Sequence, residues 1–188
     1  MYELLTMANR TTEDVFSLLD NLLKWTKSQI GNLNVVYQDV DAVEVVDSVI
    51  DVFNMVAGLK KITIREEKPE KLPVCTDIDM LKTIIRNLLS NAIKFSNENS
   101  EVLVKMEEQG DTVVVSVKDS GCGIDEEGQK KLLHTDTHFS TFGTNNEEGS
   151  GLGLLLCQDF AVKSGGKLWF TSKKGEGSTF YFSIPLKK

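Results

Sequence analysis

Apolar and polar positions alternate at helical spacing along the first thirty residues. Within the helix predicted at 2–30, polar residues such as Asp20 and Lys24 share one stripe, and the opposite side carries a broad apolar face: Val15, Phe16, Leu18, Leu19, Leu22, Leu23 and Trp25. Gly31 is placed to end this helix. The apolar face is too broad for a solitary surface helix, so we expect the helix to belong to a helical bundle.

The rest of the chain mixes helical and strand patterns. A connector at 32–40 is followed by three predicted helices: one that begins near Asp41, one at 77–95 and one at 151–164. The predicted strands are 62–64, 101–107, 112–119, 167–172 and 179–184. Loops are predicted at 68–73 and 126–150. This order predicts an α/β two-layer sandwich: a mixed sheet covered by helices on one face and preceded by a long N-terminal helix.

Composition and charge exclude several classes of protein. The 188 residues include 40% apolar and 26% charged residues, which is typical of a folded domain, and the net charge of −7 argues against nucleic-acid binding. No apolar run is long enough to span a bilayer, and no signal peptide is evident, so we expect no membrane insertion. Three cysteines without CxxC spacing predict neither a disulfide framework nor a zinc site, and favour the cytoplasm.

One polar stripe lies on the helix predicted over 77–95. Asn87, Asn91 and Lys94 are spaced i, i+4, i+7, so they share one side of the helix, beside an apolar face that ends in Phe95. Taken alone, the stripe is more typical of a solvated helix surface.

Three glycine-containing clusters complete the candidate chemistry. Asp119–Ile124 places an acid at a strand end, followed by two glycines that let a ligand approach the backbone. Gly149–Gly153 opens a helix, whose free N–H groups and positive dipole end favour an anion. Gly175–Thr179 lies between two strands and is equally compatible with a simple hairpin turn.

In this order and spacing, the clusters resemble the catalytic and ATP-binding domain of sensor histidine kinases, within the gyrase/heat-shock chaperone/histidine kinase/mismatch-repair ATPase superfamily. The boxes that carry the resemblance are the N box (Asn87–Phe95), the G1 box (Asp119–Ile124), the lid region (His138–Thr144), the G2 box (Gly149–Gly153) and the last cluster (Gly175–Thr179). The resemblance covers about residues 40–186 and implies the Bergerat-type ATP-binding fold. The helix at 2–30 is similar to the second helix of that family's dimerisation bundle. We therefore expect a partial bundle helix at 1–31, a connector at 32–40 and the catalytic domain at 41–188.

The resemblance implies a Mg-ATP site whose phosphate end lies on the N box. Asn91 is expected to coordinate Mg²⁺ through its side-chain oxygen, and Asn87 and Lys94 to approach the phosphates. The G2 box is expected to present its amides to the triphosphate.

The same resemblance implies the rest of the ATP-binding set. Asp119 is expected to accept a hydrogen bond from the adenine amino group, with Gly121 and Gly123 passing close to the base and Phe95 and Ile124 packing near it. The set also includes Gly149, Gly151, Leu152, Gly153 and Thr179. We expect residues 126–150 to form a mobile lid.

One position separates the relatives within the superfamily, and one feature departs from the histidine kinase pattern. ATP-hydrolysing relatives usually carry a Glu where this chain has Asn87, and an amide is no general base. The only histidines, His134 and His138, lie in the lid region, so we expect the phosphoacceptor histidine on a helix outside this chain, and no catalytic side chain is assigned.

The predicted function is transfer of the γ-phosphoryl group of Mg-ATP to that histidine, in signal transduction by phosphorelay. Expected partners are the phosphoacceptor helix of the same or a partner subunit, a response-regulator receiver domain and a second kinase copy in a homodimer. The chain is expected to be the cytoplasmic part of a larger sensor. The alternatives are a non-kinase ATPase of the superfamily and a nucleotide-binding scaffold without transfer activity.

Overall fold

The computed structural model describes residues 34–132, 143–144 and 151–186, together with positions 19, 22–24 and 26. The elements are β1 (Gln38–Asp41), α1 (Ala42–Leu59), β2 (Thr63–Glu67), β3 (Pro73–Thr76), α2 (Ile78–Phe95), β4 (Glu101–Gln109), β5 (Thr112–Lys118), α3 (Glu126–Lys131), α4 (Gly153–Lys163), β6 (Leu168–Lys173) and β7 (Gly177–Pro185).

A five-stranded mixed sheet forms one layer, in the order β2-β4-β5-β7-β6. Strand β2 runs parallel to β4, and the other pairs are antiparallel. Alternate residues of β4 show which face is covered, because Val102 and Val104 are buried whereas Lys105 is half-exposed. On the less buried face, Trp169 and Tyr181 stack with their ring centroids 5.3 Å apart.

The second layer consists of α1, α2 and α4. Helix α2 contacts α1 and α4, α1 contacts β2, and α4 contacts β6 and β7. The predicted α/β sandwich with a mixed sheet packed against helices is confirmed.

Helix α2 begins one residue after the predicted start, because Asp77 is its N-cap. The Asp77 carboxylate accepts hydrogen bonds from the backbone N–H groups of Asp79 and Met80, both at 3.0 Å. Such a cap contributes about 1 kcal/mol. The buried face of the helix consists of Met80, Leu81, Thr83, Ile84, Ile85, Leu88, Leu89, Ala92 and Ile93. The polar stripe of the N box therefore faces away from the centre of the core.

Two short strands, β1 and β3, were not predicted from the sequence. Strand β1 overlaps the connector, and β3 follows the predicted loop, and the two form a separate antiparallel pair. The connector is also fastened to the domain, because the Val36 N–H donates to Asp77 Oδ2 at 2.8 Å and the Tyr37 hydroxyl donates to the Lys163 carbonyl at 2.8 Å. These two hydrogen bonds therefore join residues before α1 to α2 and α4.

The N-terminal prediction lies mostly outside the described residues. Positions 19, 22–24 and 26 are helical, and Leu19 and Leu23 are more than half exposed. The rest of the helix predicted at 2–30 is outside the described part of the chain. Within that described part, no helix combines the length and apolar character needed to cross a bilayer.

Candidate functional site

A buried carboxylate follows the end of β5. Asp119 is only 4% exposed. Its Oδ1 accepts hydrogen bonds from the backbone N–H groups of Gly121 at 2.9 Å and Ser178 at 3.2 Å. Burial raises the pKa of Asp119, and the two N–H donors partly oppose that rise. The second oxygen, Oδ2, makes no hydrogen bond to any described residue, so it remains an acceptor for a ligand.

The glycine loop after Asp119 packs directly on the end of the N-box helix. A Cβ atom on Gly121 would lie 2.1 Å from the Phe95 carbonyl oxygen, so only glycine fits there. The Cys122 N–H donates to the same oxygen at 3.4 Å, although the Cys122 side chain is exposed. This backbone contact fixes the predicted adenine end of the site against α2.

The last glycine cluster packs on the other side of the same loop. A Cβ on Gly123 would lie 2.0 Å from the Lys173 carbonyl oxygen, and a Cβ on Gly177 would lie 2.2 Å from that of Asp119. A Cβ on Gly175 would have no neighbour within 4 Å, although the Gly175 N–H donates to the Cys122 carbonyl at 2.7 Å. The cluster is thus both a hairpin turn and a support for Asp119.

Side chains that sequence reasoning missed hold the next part of the loop. The Ile124 N–H donates to Ser172 Oγ at 2.8 Å, and Gln129 Nε2 donates to the Ile124 carbonyl at 2.7 Å. Ser172 Oγ also lies 2.9 Å from Ser178 Oγ. A serine in a strand or a glutamine in a short helix carries no sequence signal for this role, because the pattern shows only which face the residue occupies.

The polar stripe of α2 reaches the beginning of α4. Asn87 Nδ2 donates to the Thr83 carbonyl at 2.9 Å, and its Oδ1 would lie 2.6 Å from a Cβ on Gly153. Asn91 is half-buried, and its side chain has no hydrogen-bond partner among the described residues. Lys94 Nζ lies 4.9 Å from the centroid of the half-buried Phe95 ring. At Asn87, the stripe therefore meets the beginning of α4.

The N-terminus of α4 is suited to an anion. Leu152 is its N-cap and makes no side-chain capping bond, and the first turn contains no acidic residue. Gly151 has φ +69°, a conformation that glycine adopts readily.

Two members of the predicted set remain, and only one of them lies within the described residues. Thr179 is half-buried in β7, where it pairs with Lys118 and Thr171, and the preceding Ser178 supplies the N–H that binds Asp119. Gly149 lies outside the described residues, as do His134 and His138. Of the predicted lid, 126–131 form α3, and 133–142 and 145–150 are outside the described part.

The fold and this site can be compared with known proteins. Residues 76–188 match the family described as histidine kinase-, DNA gyrase B-, and HSP90-like ATPase. The chain belongs to this family. Its fold and its relatives make it an ATP-binding catalytic domain of the kind found in sensor histidine kinases of two-component signalling.

Individual relatives agree with that assignment. The adaptive-response sensory kinase SasA of Rippkaea orientalis is 30% identical over 171 residues, which are 90% of this chain and 43% of SasA. The nucleotide-free catalytic domain of histidine kinase ThkA is 30% identical with a TM-score of 0.70, covering 80% of this chain and 96% of that domain. ThkA in complex with the response regulator TrrA shares the fold, with a TM-score of 0.76 at 24% identity over 96% of this chain and 50% of that chain. The chain spans less than half the length of the curated relatives it matches.

Proposed function

We propose that this chain binds Mg-ATP and transfers the γ-phosphoryl group to a histidine imidazole on a helix of a dimerisation bundle. The observation that carries the transfer reaction is the Asn87 amide, which lies against Gly153 at the opening of α4. An amide cannot take a proton from water, so the site lacks the base that efficient hydrolysis needs at this position. A neutral imidazole, with an ordinary pKa of about 6.5, needs no such base.

The adenine end of the proposed site is centred on Asp119. Because Oδ1 is held by two backbone N–H groups, Oδ2 is left to accept from the exocyclic amine of adenine. The half-buried side chains of Phe95 and Ile124 would pack near the base, and the close backbone contacts of Gly121 and Gly123 leave that loop fixed.

At the phosphate end, the donors present fit a magnesium ion. Mg²⁺ prefers oxygen ligands and keeps several waters, so one amide oxygen from Asn91, together with phosphate oxygens and water, suits it. Bound Mg²⁺ would supply charge neutralisation for the triphosphate. Lys94, the first-turn N–H groups of α4 and Gly149 would complete the phosphate contacts. Thr179 pairs in the sheet with Lys118, the residue before Asp119.

In the transfer step, the imidazole nitrogen forms the new N–P bond as the bridging P–O bond to the β-phosphate breaks, and ADP leaves with the electron pair. The imidazolium then loses its proton to solvent. The domain contributes positioning and charge stabilisation, as expected for phosphoryl transfer.

The proposed transfer reaction also implies partners for this domain. Residues 1–31 would form one helix of the dimerisation bundle, and 41–188 the ATP-binding domain. The acceptor would come from the same or a partner subunit of a homodimer. Because ThkA has been solved with a response regulator, a receiver domain is the proposed final acceptor here.

The deciding experiment uses radiolabelled ATP. The chain alone should remain unlabelled, and a separate fragment that carries a phosphoacceptor helix should acquire acid-labile label when the chain and Mg²⁺ are added. The same fragment with its acceptor His replaced by Gln is the matched control. Rapid phosphate release without labelling would favour an ATPase, and ATP binding with neither reaction would favour a scaffold. Labelling of the chain alone, lost on His134→Ala or His138→Ala, would contradict the proposal.

Asn91→Ala should weaken ATP binding only when Mg²⁺ is present. A lost metal ligand should reduce affinity roughly ten-fold or more, since even outer partners of metal ligands contribute that much. Calorimetry with Mg²⁺ and with EDTA measures the difference. The exposed neighbour Ser90 supplies the control, because Ser90→Ala should change neither value. Equal losses for Asn91→Ala under both conditions would refute the role of metal ligand.

A further inference from the structure

A buried lysine from outside the predicted site binds the end of the N-box helix. Lys60 caps the C-terminus of α1 and is only 7% exposed. Its Nζ donates to the carbonyl oxygens of Ile93 at 3.0 Å and Lys94 at 2.9 Å, and to Thr144 Oγ1 at 2.6 Å. A buried ammonium is tolerated only when such partners are present. The carbonyls it binds are in the last turn of α2, where a cation is favoured by the helix dipole.

Thr144 binds the same stretch of backbone from another direction. Its N–H donates to the Lys94 carbonyl at 3.2 Å. Its hydroxyl lies 3.1 Å from that oxygen and 2.8 Å from the Ser96 carbonyl oxygen, while accepting from Lys60. The hydroxyl therefore links the lysine to the residue that ends α2.

The four successive carbonyls of residues 93–96 all receive donors from distant parts of the chain. Lys60 and Thr144 bind those of Ile93, Lys94 and Ser96, and the N–H of Cys122 binds that of Phe95. This short stretch joins the stripe that carries Asn91 and Lys94 to the loop that carries Asp119. Its position therefore sets the distance between the two ends of the site.

We propose that Lys60 is a positioning residue for nucleotide binding. Acting with Thr144, it fixes residues 93–96 so that the N-box stripe and the glycine loop are aligned for one ligand. The inference rests on the proposed ATP site, but it concerns residues that touch no nucleotide in that proposal. A purely structural cap would affect stability, whereas a positioning residue must also affect ATP affinity together with Thr144.

The test is a double-mutant cycle measured by calorimetry with Mg-ATP on the complete 188-residue chain. Lys60→Met should weaken ATP binding roughly ten-fold, and Thr144→Val roughly three-fold, as expected for hydrogen bonds that involve a charged group. The double variant should bind about as weakly as Lys60→Met alone, because both changes break the same linkage. The matched control is Lys61→Met, since Lys61 is exposed and pairs only loosely with Glu98 at 3.7 Å; its ATP affinity should equal that of the wild type.

The outcomes separate this inference from the proposed function. If the wild type binds ATP and neither Lys60→Met nor Thr144→Val changes the affinity, the positioning role is wrong and the ATP site stands. Independent, multiplicative losses would overturn the linkage between the two residues. If Lys60→Met does not fold, Thr144→Val decides alone, because Thr144 is exposed and its replacement spares the core. A wild-type chain that fails to bind ATP would overturn the proposed site itself.

Discussion

Asp119→Asn is expected to lower the affinity for ATP about a hundred-fold. The Asn Oδ1 can keep the hydrogen bonds from the Gly121 and Ser178 N–H groups, but Nδ2 then replaces Oδ2 and points a donor at the donor of adenine. Such a mismatch at a buried site costs about 3 kcal/mol, which corresponds to about a hundred-fold in affinity. Calorimetry with ATP measures it directly.

Asp119→Asn should also reduce the difference in affinity between ATP and GTP. The new Nδ2 group complements the guanine carbonyl, which the wild-type carboxylate repels, so the ratio of ATP to GTP affinity should fall sharply. Asp125→Asn is the control, because Asp125 lies farther along the same segment, caps α3 and is exposed. A wild-type chain that binds both nucleotides equally would show that Asp119 does not read the base.

The fold should survive the Asp119 substitution. Because burial raises the pKa of Asp119, the folded state takes up a proton at higher pH than the unfolded state does. The contribution of this carboxyl to stability is therefore greatest at low pH and falls as the pH rises through the window between the two pKa values. Ionisation of this buried carboxyl opposes folding, so Asp119→Asn, which cannot ionise, should melt no lower than the wild type. A marked drop in Tm would instead make Asp119 a structural residue.

Gly177→Ala is expected to destabilise the domain far more than Gly175→Ala. Both glycines have positive φ, +99° and +83°, so alanine at either position costs about 1–2 kcal/mol in backbone strain. Only at Gly177 would the new Cβ also meet the backbone of Asp119, at 2.2 Å, and such overpacking adds about 1–3 kcal/mol.

Thermal unfolding of the two variants measures the difference. At this chain length, Gly177→Ala should lower Tm by roughly 10 °C and Gly175→Ala by roughly 4 °C. ATP affinity should fall only for Gly177→Ala, since Asp119 and the Ser178 N–H are both displaced there. Equal effects of the two changes would mean that the loop relaxes around the added methyl group.

Long, strongly patterned elements could be predicted from the sequence. Helix α2 begins one residue after the predicted start, because Asp77 is a good N-cap and the apolar period behind it is regular. Strands β1 and β3 could not be predicted, because four residues give too few alternations of apolar and polar positions to identify a strand. Helix α3 was missed because its only buried residue is Gly128, which leaves no apolar period.

The candidate site divides in the same way. Asp119 and Asn87 could be chosen because their side chains and the spacing of the boxes carry the chemistry. The contributions of Ser178 and of the carbonyls at 93–96 could not, because they are made by backbone atoms that every residue possesses. Lys60 gave no signal either, since a lysine at a helix end is ordinarily solvated.

The close backbone packing of the glycine loops limits which positions of this sequence can change during evolution. Packed and exposed positions alternate there: Gly121 and Gly123 touch backbone, whereas the side chains of Ser120 and Cys122 are exposed. Selection for the shape of the loop thus falls on the residues without side chains. The exposed neighbours Ser120 and Cys122 can be replaced by residues with other side chains without moving Asp119. The edge of the site can therefore change its chemistry while the backbone that holds Asp119 stays the same.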